Sequence, residues 1–223
     1  MPIKIGLIGA KGRLGKAIET LAKSHPHFSV TKQFARGDSR IDSDIDLYID
    51  ASLPEALAQN IQAALQAKKP IVIGVTGLSE TDMSLILEAS KQIPIFYAPN
   101  FSIGIAIMRK LAEETARLFH PNAEIDLIET HHIHKKDTPS GAAKLLAKTI
   151  TGSHPKQKTP TIHSIRLGQT VGKHELQFNS PEEQIIITHT AHSRDIFAKG
   201  ALIAARFLST QTPALYTMDN LFT

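Results

Sequence analysis

The stretch Glu129-Thr130-His131-His132-Ile133-His134-Lys135-Lys136-Asp137-Thr138-Pro139-Ser140-Gly141-Ala142-Ala143 gathers the residue types best suited to acid–base chemistry on an anion. Histidine exchanges protons near neutral pH. Lysine offers a fixed positive charge to a carboxylate, or a proton where its surroundings lower its pKa. Pro139-Ser140-Gly141 opens a helix whose first amides can cradle an anion. A capped helix after a polar loop is the plainer reading, and Ser140 alone would suffice for it. It leaves the histidines unexplained. His131, His132 and His134 also suggest zinc, but a strand would put His131 opposite the other two, and no third ligand is evident. The segment reads as a site for a carboxylate-bearing substrate beside a proton donor, with no metal.

A second constellation lies at the other end of the chain. Gly9-Ala10-Lys11-Gly12-Arg13-Leu14-Gly15 follows an apolar run and opens a helix-period segment. In a dinucleotide loop the first Gly permits the tight turn and the second lets backbone approach the pyrophosphate. The third packs helix on strand, and the helix amides face the phosphates. A plain strand-to-helix turn is the alternative. The second strand ends Gln33-Phe34-Ala35-Arg36-Gly37, with no carboxylate where an NAD-preferring domain usually holds the ribose. Arg36 can pair with a 2′-phosphate or be a solvated loop residue, and Asp38 lies close enough to blur the choice.

The elements that must hold these residues follow from periodicity. Ile3–Ile8, Phe28–Phe34, Ile45–Ile49, Ile71–Ile73 and Ile93–Tyr97 read as buried strands. Helical faces fall between most of them: Leu14, Ala17, Ile18, Leu21 and Ala22; Ala56, Leu57, Ile61, Ala64 and Leu65; and Met83 to Ala89. The span from Arg36 to Asp46 is too short and polar for a helix. This is α/β, a doubly wound parallel sheet of Rossmann type. After Asn100 the pattern changes. A long helix (Ile105, Met108, Leu111, Ala112, Leu118, Phe119) leads into the strand Ile125–Glu129, and a helix runs from about Ser140 to Thr149. Strands at Ile162–Ile165, Glu175–Phe178 and Gln184–Thr188 follow, forming a mixed sheet. Phe197, Ala201, Ala204, Ala205 and Leu208 then close with a helix. The expected organisation is a dinucleotide-binding domain over 1–102, to which 195–223 returns. A smaller α+β domain for substrate binding and oligomerisation spans 103–194.

Composition sets the outer bounds. The 223 residues hold no Cys, which removes disulfides and Cys-based metal clusters and fits a reducing cytoplasm. The first residues enter a strand without a signal-peptide core, and no apolar run approaches the roughly 18 residues that span a membrane. The formal charge of +4 suits small anions. Scattered Lys and Arg, with no Trp and only 3 Tyr, argue against a nucleic-acid partner.

The His–Lys segment resembles the signature of the 4-hydroxy-tetrahydrodipicolinate (dihydrodipicolinate) reductases, E-x-H-H-x-x-K-x-D-x-P-S-G-T-A. The resemblance covers nearly the whole chain. Gly9–Gly15 matches the nucleotide loop, Asp50-Ala51-Ser52-Leu53-Pro54-Glu55 is similar to D-F-[ST]-x-P-E, and Gly74-Val75-Thr76-Gly77 to G-T-T-G. Ala98-Pro99-Asn100-Phe101-Ser102 resembles A-x-N-F-S. Arg166-Leu167-Gly168 and Val171-Gly172-Lys173-His174 resemble R-x-G and V-G-E-H. The run from His189 through Arg194 to Ala201 resembles H-x-A-x-S-R-x-x-F-A-x-G-A.

The resemblance implies reduction by NADPH or NADH in diaminopimelate and lysine biosynthesis, in a cytoplasmic homotetramer. His131 would be the proton donor and acceptor and Lys135 a proton donor. His132, Ser140, Gly141 and Ala142 would hold the dicarboxylate substrate. Gly9, Ala10, Lys11, Gly12, Arg13, Leu14, Arg36, Gly74, Val75, Thr76, Ala98, Pro99, Asn100, Phe101 and Arg194 would contact the cofactor. Ala142 stands where the family has Thr, and Ala35 where many members carry an acidic residue. The chain is short, lacking the helical insert after the second strand and part of the second domain. A related reductase of another amino-acid-derived imine or aldehyde, and a non-catalytic nucleotide sensor, are the rival readings.

Overall fold

The structure is a computed structural model that describes all residues except 36, 37, 39, 40, 43, 120–122, 154–158 and 223. It divides into two units, Met1–Phe101 with Asp195–Thr223, and Ser102–Arg194.

In the first unit the chain runs β1 (Ile3–Ile8), α1 (Arg13–Lys23), β2 (Phe28–Phe34), β3 (Leu47–Asp50), a 3₁₀ turn at Pro54–Ala56 and α2 (Leu57–Ala67). It continues through β4 (Ile71–Ile73), α3 (Glu80–Ser90) and β5 (Ile95–Tyr97). The strands pair in the order β5-β4-β3-β1-β2, all parallel. Among the described residues no helix intervenes between β2 and β3, as the short polar span requires. Leu7, Leu47, Ile49, Val72 and Ile73 are fully buried, the continuous apolar character of strands covered on both faces. Because β1 lies between β2 and β3, the winding reverses there. In open α/β sheets ligands bind outside the carboxyl ends of the strands at such a switch point.

The second unit holds α4 (Ile103–Leu118), β6 (Glu124–His131), α5 (Gly141–Ser153), β7 (Thr161–Arg166), β8 (Gly172–Asn179) and β9 (Gln184–Ala191). The sheet order is β7-β6-β8-β9, with β6 parallel to β7 and antiparallel to β8. Its core is Ile105, Met108, Ala112 and Ala116 of α4, Leu146 and Ile150 of α5, and Ile125, Leu127, Leu176 and Phe178 of the sheet. Leu111 and Leu118, expected on the buried face of α4, are 51% and 62% exposed. The face that packs is set by 105, 108, 112 and 116; at 100° per residue, 111 and 118 join Ile107 on another stripe.

The chain then returns to the first unit through α6 (Asp195–Leu208), whose small residues Ala198, Ala201, Ala204 and Ala205 are fully buried. A Cβ at Gly200 would overlap the Phe101 carbonyl, so glycine lets α6 lie directly against that segment. The chain ends with β10 (Leu215–Tyr216), parallel to β5, and a 3₁₀ turn. Two residues carry no period, so β10 has no signal in the sequence.

Candidate active site

The inward face of β6 reads Ile125, Leu127, Glu129, His131, apolar for half its length and ionisable for the rest. Alternation in a strand sends these four to one side. Register extends the change of character across the sheet: Glu129 pairs with Ser164 of β7 and with His174 of β8, and His174 with His189 of β9. A polar row therefore crosses all four strands just beyond the apolar core.

Glu129 is fully buried. Its Oε1 accepts hydrogen bonds from Ser164 Oγ (2.7 Å), the Ser140 amide (3.0 Å) and Arg166 Nη2 (3.2 Å). Its Oε2 lies 3.2 Å from His131 Nδ1, an ion-pair distance, and neither atom has a hydrogen-bond partner. Burial pushes the Glu129 carboxyl up, but hydrogen bonds from Ser140 and Ser164 outweigh it and hold the group below the usual carboxylate range. Burial pushes His131 the other way. Glu129 opposes that, while Lys135 and Arg166 reinforce it, and the imidazole stays below its ordinary value. His174 packs edge-on against His131 at 5.1 Å between ring centres. Burial, helped by His131, pushes His174 down to about 4, so it is neutral at pH 7.

Arg166 also fixes the loop that follows β6. Its guanidinium donates to the carbonyls of Lys135 (3.3 Å) and Asp137 (2.6 Å) and to Thr138 Oγ1 (2.9 Å). Lys135 Nζ lies 2.8 Å from Asp137 Oδ1. Burial raises the Asp137 carboxyl, but Lys135 and the amides of Asp137 and Gly141 together pull it lower than usual. Ser140 Oγ accepts from the Ala143 amide at 3.1 Å, capping α5. Of the first-turn amides expected to be open to an anion, Ala143 is thus bound by the cap and Gly141 faces Asp137. A Cβ at Gly141 would meet nothing within 4 Å, so space above this amide is open.

At the switch point of the first unit, Gly9 has φ +79°, and a Cβ there would stand 2.5 Å from the Ala51 carbonyl oxygen. A Cβ on Gly15 would overlap the Gly9 carbonyl, so helix and strand close only on glycine. Gly12 caps α1 without a side chain, and its first turn holds no acidic residue. That leaves the Arg13, Leu14 and Gly15 amides to a ligand's negative charge. Gly74 sits against Leu14 and Phe101, which joins the turns after β1, β4 and β5 at one edge of the sheet. The arrangement fits a dinucleotide.

The family model for the N-terminal part of dihydrodipicolinate reductase matches residues 3–45 and 38–101, and the model for the C-terminal part matches residues 104–222. The chain belongs to the dihydrodipicolinate reductase family. The 4-hydroxy-tetrahydrodipicolinate reductase of Caldanaerobacter subterraneus subsp. tengcongensis is 38% identical over 248 residues, spanning 99% of this chain and 98% of that protein. That of Xanthomonas campestris pv. campestris is 37% identical over 236 residues, with the same coverage. A dipicolinate-bound dihydrodipicolinate reductase from Paenisporosarcina sp. TG-14 shares the fold, with TM-score 0.84 at 20% identity over 99% of both chains. The doubly wound sheet with a smaller mixed-sheet unit is therefore the reductase architecture.

Within this reductase, the residues read from the sequence divide by unit. Gly9 to Leu14, Gly74 to Thr76 and Ala98 to Phe101 stand at one sheet edge; Arg36 lies outside the described residues. His131, Lys135, Ser140, Gly141 and Ala142 gather around the end of β6 and the start of α5. Arg194, placed with the cofactor contacts, lies against His132, Nη2 to Nε2 2.7 Å. Strand alternation does not separate His131 from His134, because β6 ends at His131 and His134 sits in an exposed turn. The group closest to a metal set is Glu129, His131 and His174, not the three clustered histidines. The cations Arg166 and Lys135 beside it, and three donors on Glu129 Oε1, suit an acid–base pair better than a dication.

Glu129, Arg166, His174 and His189 received no role from the sequence. Parity was the available signal, since Glu129 continues the inward series of Ile125 and Leu127, and His174 that of Phe178 and Leu176.

Proposed function

We propose that this chain is a 4-hydroxy-tetrahydrodipicolinate reductase, using NADPH or NADH to reduce the hydroxylated cyclic dicarboxylate to tetrahydrodipicolinate in diaminopimelate and lysine biosynthesis. The observation that carries it is the His131–Glu129 pair beside Lys135 and the start of α5, in a chain matched along its whole length by the family. A nicotinamide nucleotide held by the Gly9–Gly15 turn would supply the hydride for C4 of the conjugated imine. C3 then requires a proton. His131 would give it from Nε2 as the imidazolium, keeping the Nδ1 proton against Glu129, and take a proton back from solvent afterwards. Lys135 and the Ala142 amide meet a substrate carboxylate, and the polar row behind them keeps the imidazole upright.

Among the described residues no helix is long and apolar enough to cross a membrane. A cytoplasmic homotetramer is the assembly we propose, supported by the exposed apolar stripe Ile107, Leu111 and Leu118 and by the exposed Ile165 and Ile186 of the sheet. Size-exclusion chromatography with light scattering tests the tetramer. The activity is tested by adding synthase-generated substrate and following loss of NADPH absorbance. No substrate-dependent oxidation would leave a nucleotide sensor; oxidation with another imine only would leave a related reductase.

A further inference from the structure

We propose that Glu129 is a positioning residue that couples the acid–base imidazole to the start of α5, one buried carboxylate setting both the proton donor and the anion-binding amides. The inference rests on the reductase reading. Glu129 has no freedom to do otherwise. The Ser140 amide at the head of α5 and two donors from β7, Ser164 Oγ and Arg166 Nη2, all converge on Oε1. With that oxygen fixed from three directions, the carboxylate cannot rotate, and Oε2 has one direction left. It faces His131 Nδ1 at 3.2 Å. Both atoms are buried and without a hydrogen-bond partner. A proton on Nδ1 sets a donor against the carboxylate, whereas a proton on Nε2 alone would leave two acceptors facing each other out of water. The imidazole is thereby held in the tautomer whose Nε2 is free to exchange.

The same carboxylate oxygen that anchors Ser140 orients the helix start, because Ser140 Oγ caps α5 through the Ala143 amide. Lys135 is tied in through Arg166, which holds the Lys135 carbonyl and Glu129 together. The charged and titratable groups around His131 are Glu129 on its own strand, Lys135 and Asp137 on the loop, Arg166 on β7 and His174 on β8, with His189 of β9 behind His174. Of these, Glu129 and Asp137 favour the protonated imidazole, Glu129 the more strongly.

Glu129→Gln keeps size and an Oε1 acceptor but sets an amide or neutral oxygen against Nδ1. Long-range ¹H–¹⁵N spectra of the histidine rings read the outcome without substrate. In the native protein His131 should be the Nδ1–H tautomer. In Glu129→Gln its titration should move to lower pH, and kcat should fall at least tenfold with NADPH affinity, read by fluorescence, unchanged. The high-pH limb of kcat/KM should shift downward with the histidine. A native Nε2–H tautomer, or a His131 titration unmoved by Glu129→Gln, overturns the proposal. Should Glu129→Gln fail to fold, the native tautomer decides alone. If the spectra behave as expected but no substrate is reduced, the reductase reading has failed and the positioning role stands.

Discussion

Lys135 Nζ and Asp137 Oδ1 stand 2.8 Å apart, and the same carboxylate faces the Gly141 amide. A carboxylate of the chain itself thus occupies the cation and one of the amides proposed for the substrate's. Asp137 is 54% exposed at its side chain, and an exposed pair contributes only about 0.2–1 kcal/mol. Asp137→Asn should therefore tighten binding of pyridine-2,6-dicarboxylate, by up to about fivefold, when titrated calorimetrically. Weaker binding would mean that Asp137 holds Lys135 in place for the substrate instead of competing with it.

The acid–base assignment predicts unequal histidines. His131→Ala and Lys135→Ala should each lower kcat by about 10²–10⁴, with nucleotide binding intact. His134, exposed in the turn after β6, should change kcat little when replaced by Ala. Equal damage at His134 and His131 would reverse the roles.

At the start of α5, Ala142 offers its backbone N–H where the family offers a Thr hydroxyl as well. One hydrogen bond is worth about 1 kcal/mol, so Ala142→Thr should lower the substrate KM less than about tenfold at constant kcat. Gly141→Val should fold normally, because its Cβ meets nothing within 4 Å, yet lose substrate affinity by filling that space. Steady-state kinetics at saturating NADPH separate the two, and a large rise in kcat from Ala142→Thr would show the hydroxyl serving the chemistry.

Cofactor choice rests on Arg36, by sequence position alone. NADPH should serve at least as well as NADH. Losing a charge-assisted pair costs about 1.5–3 kcal/mol, so Arg36→Ala should raise KM for NADPH about ten- to a hundredfold and leave NADH nearly untouched. A native preference for NADH would sink this.

Burial of His174 has a consequence for stability. Its folded value near 4 lies below the ordinary histidine value of 6.5, so as pH falls the unfolded chain takes the proton first. The stability it contributes is full above about pH 6.5 and is lost between there and about pH 4, on the order of 3 kcal/mol. Burial lowers His131 and His189 as well, in the same direction. Urea unfolding at pH 7 and pH 4.5 should show a smaller drop for His174→Gln than for the native protein; equal drops would place the titrating group elsewhere.

Apart from β10, the sequence by itself determined the order of the strands and α-helices, because runs such as Ile3–Ile8 and the helical face through Ile18 and Ala22 carry their periods locally. It also singled out the two stretches proposed as sites: glycines required by a tight turn and a His–Lys run before a capped helix are signals within a few residues. It misjudged the buried face of α4, where two apolar stripes compete and only packing against Leu127 and Phe178 chooses between them. Which residues gather around the proposed acid–base pair was decided by the tertiary structure alone. Ser164 and Arg166 reach Glu129 from 35 and 37 residues away, and His174 comes beside it through the antiparallel register of β6 and β8. Register is a property of two strands together, and a slip of one residue would turn His174 to the other face of the sheet. Nothing in either strand read singly fixes it.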